Sequence, residues 1–104
     1  MKQVAIVVKP FRAEAVLGAA EELGVAACVV REAKGYSRQK GYLDRYVGSE
    51  YSMAFLPKVE ICVWVSDRRA AEVADRLVRT ARTGRMGDGK IFVLAMTWPD
   101  PLEF

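Results

Sequence analysis

Three glycines and two cations lie close together in residues 83–93, near the C-terminal end of the chain. The glycines are Gly84, Gly87 and Gly89, and the cations are Arg85 and Lys90. Glycine lacks a Cβ, so such a segment can turn tightly and bring its backbone close to a ligand. Backbone N–H groups beside cations form a cradle for an anion. The spacing is not that of the phosphate loop of nucleotide hydrolases, so a glycine-rich hairpin or a plain helix-to-strand connection stays open as the alternative.

The size and composition of the chain limit what this segment can belong to. The chain has 104 residues, of which 52% are apolar, and its net charge is +3. This predicts one folded domain over residues 1–104 rather than two. No apolar run is long enough to cross a bilayer, and the N-terminus lacks the features of a secretory signal. We therefore expect a cytoplasmic protein without direct membrane insertion.

Several kinds of chemistry are disfavoured by residue types. The chain contains no His and no Asn, which removes His-based triads and His metal sites. Cys28 and Cys62 each stand alone in apolar surroundings, which predicts two small buried side chains rather than a metal site. Lys and Arg are spread along the chain, so nucleic acid is not an expected partner.

The periodicity of apolar residues predicts an alternating order of strands and helices. The predicted strands are residues 2–9, 25–34, 58–65 and 90–97, and the predicted helices are residues 12–23 and 68–81. Gly24 is expected at the C′ position of the first helix and Asp67 at the N-cap of the second. The order β-α-β-loop-β-α-β predicts an α+β fold of the ferredoxin-like type, with two helices on one face of a four-stranded antiparallel sheet.

A long irregular stretch, residues 35–57, separates the second and third predicted strands. It contains three glycines and all four tyrosines of the chain. A loop of this length inside a compact domain is more often functional than idle. A β-hairpin extension with exposed tyrosines is the alternative, and the two interpretations are compatible.

Several separate motifs, in the same order, resemble the PII signal-transduction family. They are residues 34–41 (KGYSRQKG), 46–51 (YVGSEY), 55–59 (FLPKV) and 83–93 (TGRMGDGKIFV), together with the opening Lys9-Pro10-Phe11. The resemblance runs without gaps from residue 1 to about residue 95. The last and most distinctive of these motifs contains the glycine-rich segment described above.

The resemblance implies a homotrimeric sensor rather than an enzyme. Members bind ATP or ADP in clefts between protomers and 2-oxoglutarate beside ATP through a bridging Mg²⁺. A mobile loop, here about residues 36–55, reports the ligand state to a partner such as a transporter or a nitrogen-metabolism enzyme.

The resemblance also implies roles for individual residues of this chain. The nucleotide phosphates would be held by Arg38, Arg85, Gly87, Asp88, Gly89 and Lys90. The Mg²⁺ and 2-oxoglutarate would be met by Gln39, Lys40, Gly41 and Lys58, with Gln39 as the metal ligand. Tyr51 matches a uridylylated tyrosine and Ser49 a serine that some members phosphorylate. For Arg85, pairing with an acid of another protomer remains the alternative to phosphate binding.

The chain departs from the family pattern at several positions. Val29 stands in place of a threonine, Cys62 in place of a glutamate, Ser37 in place of a glycine and Val47 in place of a basic residue. The two C-terminal arginines that bind phosphate in the family have no counterpart before Phe104. Losing two such contacts would weaken binding about a hundredfold or more. We expect a divergent member with a shortened C-terminus, whose nucleotide preference is shifted toward ADP or AMP or whose binding is weak.

Three further functions are alternatives to nucleotide sensing. A regulator with the same fold could have lost nucleotide sensing and act through partner binding or another small anion. An acyl-phosphate hydrolase would need an Arg for the phosphate and an amide side chain to orient water, and no second catalytic group is evident. RNA binding by the sheet would require exposed aromatic residues, but packing or a trimer interface explains Trp64 and Phe92 more simply.

Overall fold

The helices and strands follow one another in the predicted order. The computed structural model describes residues 1–25, 27–35, 56–85 and 87–97. The strands are β1 (Lys2–Val8), β2 (Ala27–Gly35), β3 (Leu56–Val65) and β4 (Gly89–Ala95), and the helices are α1 (Ala13–Glu22) and α2 (Ala70–Ala81). Short 3-10 helices, Pro10–Arg12 and Asp67–Arg69, lead into α1 and α2. The predicted loop, residues 36–55, lies outside the described part of the chain.

The four strands form one antiparallel sheet in the order β2-β3-β1-β4. β1 and β3 are therefore central, and β2 and β4 lie at the edges. This confirms the predicted ferredoxin-like fold. The predicted bounds of all four strands and both helices were wrong by one or two residues at some ends, since a local pattern defines these ends less sharply than backbone hydrogen bonding does.

The helices cover one face of the sheet and create the core there. Val4, Ile6 and Val8 of β1 alternate with residues of the other face, as do Ile61, Val63 and Val65 of β3. They pack against α1 and α2 through buried side chains that recur at helical spacing. The helical residues are Val16, Ala19, Ala20, Ala70, Val73, Leu77 and Ala81. Full burial of each large aliphatic side chain contributes about 1.5–3 kcal/mol.

The helix ends agree only in part with the capping predictions. Gly24 follows the C-cap residue of α1 with φ of 66°, which confirms its predicted C′ position. The predicted N-cap role of Asp67 is wrong, because no side chain caps either the 3-10 helix or α2. The carboxylate of Asp67 instead pairs with the N-terminal ammonium of Met1 at 2.8 Å. Asp67 therefore pairs with a group that is distant in sequence and not with the backbone of the helix that follows it.

Each helix is capped at its C-terminal end by an arginine from the 3-10 helix that precedes the other helix. Arg12 donates from Nε (3.2 Å) and Nη2 to the carbonyl oxygen of Thr80, in the last turn of α2. Arg69 donates from Nη2 to the carbonyl oxygen of Leu23 at 2.8 Å, at the end of α1. The last carbonyls of a helix lack intrahelical partners and carry partial negative charge, so a guanidinium stabilises both ends.

The two cysteines differ in burial. Cys62 is 1% exposed, as predicted, but Cys28 is exposed, so the prediction was wrong for Cys28. Cys28 lies in β2, which is paired on one side only. Partial burial, and to a lesser extent Cys62, raises the pKa of the Cys28 thiol, so it stays protonated near neutral pH.

Candidate functional site

The connection from α2 to β4, residues 82–88, is organised around one carboxylate and is called the glycine turn below. Oδ2 of Asp88 accepts the backbone N–H groups of Thr83 at 2.8 Å and Gly84 at 3.0 Å. Oδ1 accepts the hydroxyl of Thr83 and the ammonium of Lys9, the latter at 3.1 Å. Asp88 therefore binds the start of the turn to its end.

These contacts determine the charge state of Asp88. Partial desolvation acts to raise the pKa of the carboxyl group. The hydrogen bonds from Thr83, Lys9 and Gly84 outweigh it, and the pKa of Asp88 lies well below its usual range. Asp88 is consequently ionised throughout the physiological pH range, and its side chain positions the turn.

Two lysines support the glycine turn from the central strands. Lys9 follows the last residue of β1, and its ammonium lies 3.1 Å from Asp88 Oδ1 and 3.5 Å from the hydroxyl of Thr83. Lys58 of β3 is 8% exposed, and its Nζ donates to the carbonyl oxygen of Gly87 at 2.9 Å. Burial, followed by the positive charge of Lys9, lowers the pKa of Lys58, while Asp88 opposes that change.

Gly89 brings the chain back against the sheet. It pairs with Val8, and a Cβ at this position would lie 2.1 Å from the carbonyl oxygen of Val7. Only glycine fits without displacing the backbone. The next residue, Lys90, is thereby placed opposite Val7 on the face of the sheet that the helices leave open.

Three exposed cations lie in the glycine turn or directly after it. Arg82, Arg85 and Lys90 form no ion pair with any residue in the described part of the chain. The acid nearest to them in sequence, Asp88, is already paired with Lys9. The rim of the turn is therefore electropositive and can attract an anion.

A pocket of about 240 Å³ lies beside the turn, between α2 and β4. Its walls are mostly apolar, and charged residues of the turn lie at its edge. The lining residues are Ile6, Val7, Val78, Ala81, Arg82, Asp88, Gly89, Lys90 and Ile91. It can hold a small apolar group beside bound negative charge.

The open face of the sheet changes from charged to apolar with distance from the turn. The cross-strand row nearest the turn contains Lys90, Val7, Glu60 and Arg31, with Arg31 and Glu60 paired at 3.0 Å. The next row contains Phe92, Ala5, Cys62 and Val29. Same-face rows lie about 7 Å apart. A ligand with an anionic end and a flat apolar end matches this gradient.

A second pocket, of about 500 Å³, lies at the same end of the sheet. It is bordered by the end of β2, the start of β3 and the residue that begins the first 3-10 helix. The lining residues are Pro10, Glu32, Ala33, Lys34, Pro57, Lys58 and Val59. Lys58 therefore lines this pocket and also contacts the glycine turn.

The fold brings together the predicted site residues of the second half of the chain. Arg85, Gly87 and Asp88 lie in the glycine turn, Gly89 and Lys90 begin β4 directly after it, and Lys58 contacts the turn. The other predicted residues lie outside the described part of the chain; they are Arg38, Gln39, Lys40, Gly41, Ser49 and Tyr51. Their predicted roles stay predictions.

Sequence reasoning assigned no role to Lys9, although the structure places it in the network of the turn. Lys9 and Asp88 are separated by 79 positions. The only local signal is that Lys9 directly follows a buried strand, so that its side chain emerges at the end of the sheet. Pairing of β1 with β4 was needed to identify its partner.

The described ranges contain neither a candidate metal site nor a candidate membrane-spanning helix. No group of three or more Cys, Asp or Glu side chains is arranged to hold a metal ion there. The helices described are also too short or too polar to cross a membrane.

Comparison with known proteins gives consistent matches along most of the chain. The family model for nitrogen regulatory protein P-II matches residues 1–98. Nitrogen regulatory protein GlnK of Escherichia coli K12 is 47% identical over 93 residues, which cover 89% of this chain and 83% of the relative. The P-II proteins of Klebsiella oxytoca and Rhizobium meliloti are each 45% identical over the same lengths.

The chain belongs to the P-II family of nitrogen regulatory proteins. The predicted family resemblance is thereby confirmed. The relatives are named as regulatory proteins, so the coarse function of the chain is a signalling role.

Proposed function

We propose that this protein is a trimeric nitrogen-signalling sensor that binds an adenine nucleotide between protomers and regulates a partner through residues 36–55. The observation that carries the proposal is the glycine turn. Its carboxylate is satisfied internally, while Arg85 and Lys90 project charge that no described acid neutralises. Such a turn presents cations and backbone donors to an incoming anion.

The open face of the sheet supports a nucleotide as the anion. Phosphates would lie at the glycine turn and beside Lys90. The base would then lie about one row away, over Ala5 and Cys62 between the side chains of Phe92 and Val29. A ligand without an apolar end would leave this row unused.

Residues outside the described ranges would complete the site. Arg38 would reach the phosphates. Gln39, Lys40 and Gly41 would meet Mg²⁺ and 2-oxoglutarate, with the amide oxygen of Gln39 on the metal. Lys58 would pair with a carboxylate of 2-oxoglutarate in the second pocket, since it is one of the residues that line that pocket.

The trimer and the partner follow from the same proposal. β2 and β4 are edge strands, and Phe92 and Leu94 of β4 are each about half exposed. Contacts between protomers would cover these apolar side chains and protect the sheet edges. The partner would be a transporter or an enzyme of nitrogen metabolism, and modification of Tyr51 or Ser49 would change the charge where it docks.

One set of contacts favours a second candidate, a regulator of the same fold that does not sense nucleotides. Lys9 and Asp88 neutralise one another, and Lys58 already donates to Gly87. In the apolar row, Cys62 and Val29 also offer little hydrogen bonding to a base. Such a protein would bind its partner constitutively or respond to another small anion.

Calorimetric titration distinguishes the two candidates. The protein is titrated with ATP, ADP and AMP, with and without Mg²⁺ and 2-oxoglutarate. Micromolar binding that 2-oxoglutarate strengthens is expected for the sensor. Binding that ignores 2-oxoglutarate would restrict the function to sensing adenine nucleotides. Absence of binding at millimolar concentration would favour the second candidate.

Lys90→Ala identifies the site within that experiment. Loss of one charge-assisted contact should weaken nucleotide binding about ten- to a hundredfold. Its thermal unfolding temperature should not change, because Lys90 is exposed and has no described ion-pair partner. Arg68→Ala is the matched control, since it removes an exposed cation near the opposite end of α2 and should leave affinity unchanged. Equal affinity of Lys90→Ala and the unmodified protein would exclude Lys90 from the site.

A further inference from the structure

Lys9 is a charged residue near the candidate site to which neither the sequence motifs nor the proposed ligand contacts assign a task. Its side chain is only 12% exposed. Its ammonium is directed at Asp88 Oδ1 and the hydroxyl of Thr83 rather than at solvent. A lysine that loses hydration in this way is retained only when its new contacts compensate.

We infer that Lys9 is a positioning residue, which holds the glycine turn in its anion-binding conformation by pairing with Asp88. The inference rests on the proposed function. Lys9 would not touch the ligand. It would act through Asp88, whose carboxylate orders the backbone of Thr83 and Gly84.

Asp88 connects Lys9 to the backbone of the glycine turn. Asp88 Oδ2 holds two backbone N–H groups of the turn, while Oδ1 holds the hydroxyl of Thr83 and the ammonium of Lys9. The ammonium comes from the end of β1, which is fixed by pairing with β3 and β4. Lys9 therefore connects the glycine turn to a central strand of the sheet, which is paired on both sides.

Lys9 also compensates the negative charge of Asp88. An ionised Asp88 without Lys9 would place an uncompensated negative charge within the turn that is to receive an anion. The groups facing Lys9 are Asp88, Thr83 and Lys58, and Lys58 is already occupied with the carbonyl of Gly87. Lys9 thus removes a repulsion that Lys58 is less well placed to remove.

Three variants test the inference. Lys9→Met keeps the length of the side chain and removes its charge, whereas Lys9→Arg keeps the charge. Lys2→Met is the matched control, because it changes the same residue type at the opposite end of the same strand. Should Lys9→Met fail to fold, Asp88→Asn removes the other charge of the same pair with little change in shape.

Two measurements are made on each variant. Hydrogen exchange of the unliganded protein follows the backbone amides of Thr83 and Gly84, with core amides of β1 and β3 as an internal reference. Calorimetry then gives the dissociation constants of ATP and of inorganic triphosphate. The second probe lacks a base and so isolates the anion site.

The expected result is localised loosening together with weaker anion binding. In Lys9→Met the amides of Thr83 and Gly84 should exchange about tenfold faster, with the core amides unchanged, and both anions should bind about ten- to a hundredfold more weakly. Lys9→Arg should restore most of the affinity, and Lys2→Met should behave as the unmodified protein.

Other outcomes overturn the inference in distinguishable ways. Unchanged exchange at Thr83 and Gly84 in Lys9→Met would mean that Lys9 does not hold the turn. Faster exchange with unchanged affinity would mean that a fixed turn is not required for binding. If the unmodified protein binds neither anion, the proposed function fails as well, and the positioning role fails with it.

Discussion

The two helix-to-strand connections of this fold begin alike and end differently. Each follows a helix whose last carbonyls are capped by an arginine of the other half, Arg69 at α1 and Arg12 at α2. Each also contains a glycine with positive φ soon after the helix, Gly24 at 66° and Gly84 at 82°. The first connection then reaches β2 at Ala27, whereas the second continues as the glycine turn until Gly89.

The difference lies in how the backbone donors are satisfied. At Gly24 the N–H bonds to the carbonyl of Glu21, so the helix itself provides the acceptor. In the glycine turn the N–H groups of Thr83 and Gly84 bond to the carboxylate of Asp88. A longer connection runs beyond the helix carbonyls, and a partly buried side chain organises it here. Cations around that side chain convert the connection into a candidate anion site.

Among variants that test the difference between the two connections, Gly89→Ala is expected to cause the largest loss of stability. The new Cβ would clash with the backbone of Val7 and separate β4 from β1, which should destabilise the protein by about 3 kcal/mol. Urea denaturation followed by circular dichroism measures the loss. Gly18→Ala is the control, because it lies in α1 with open space around it and should instead stabilise the protein by about 0.5–1 kcal/mol. Similar stability of the two variants would contradict the close approach at Gly89.

Asp88→Ala should have the next largest effect, because it removes the acceptor on which only the second connection depends. Two backbone donors and Lys9 lose their partner, at a cost of about 2–3 kcal/mol at pH 7. The control is Asp75→Ala, which breaks only an exposed pair with Arg79 and should cost about 0.5 kcal/mol or less. The prediction is tested by comparing the denaturation midpoints of the two variants with that of the unmodified protein.

The same aspartate predicts a pH dependence. Its pKa is lower in the folded protein than in the unfolded chain, so its stabilisation is full above the unfolded value of about 4 and is lost as the pH falls below it. The unmodified protein should therefore lose more stability than Asp88→Ala between about pH 5 and pH 3. Parallel pH profiles would show that Asp88 is not stabilised in the folded state.

Smaller losses of stability, of similar size at the two helices, are expected when either capping arginine is replaced. Arg12→Ala and Arg69→Ala should each destabilise the protein by about 1–2 kcal/mol, because each leaves helix-terminal carbonyls without their guanidinium. Arg79→Ala, an exposed helical pair, serves as the control. Unequal losses for Arg12→Ala and Arg69→Ala would mean that the two connections already differ at the helix ends where they begin.

Sequence periodicity was sufficient wherever a residue's environment depends on its neighbours along the chain. The alternation of Val59, Ile61, Val63 and Val65 identified the core face of β3, and Gly24 identified the end of α1. These features are local, since strand alternation and a left-handed cap are defined within a few residues. The family motifs extended the prediction to the candidate site.

Apart from the ends of helices and strands, the predictions that failed concern residues whose environment is set by distant segments. Asp67 was predicted to cap a helix but pairs with Met1, and Cys28 was predicted to be buried but lies on an edge strand. Periodicity assigns a residue to a face of a strand. It does not say whether that strand is covered, because strand order depends on pairings between distant segments.

The sequence by itself determined the order of helices and strands, the core faces of β3 and both helices, the family, and the glycine-rich segment as the candidate anion site. These follow from local periodicity, from glycine's lack of a side chain and from motif order. Only the tertiary structure decided that Lys9 and Lys58 support that segment and that Asp88 is satisfied within it. The reason is physical: the energies of charged groups depend on through-space distance and burial, and the fold brings together lysines and an aspartate that lie far apart along the chain.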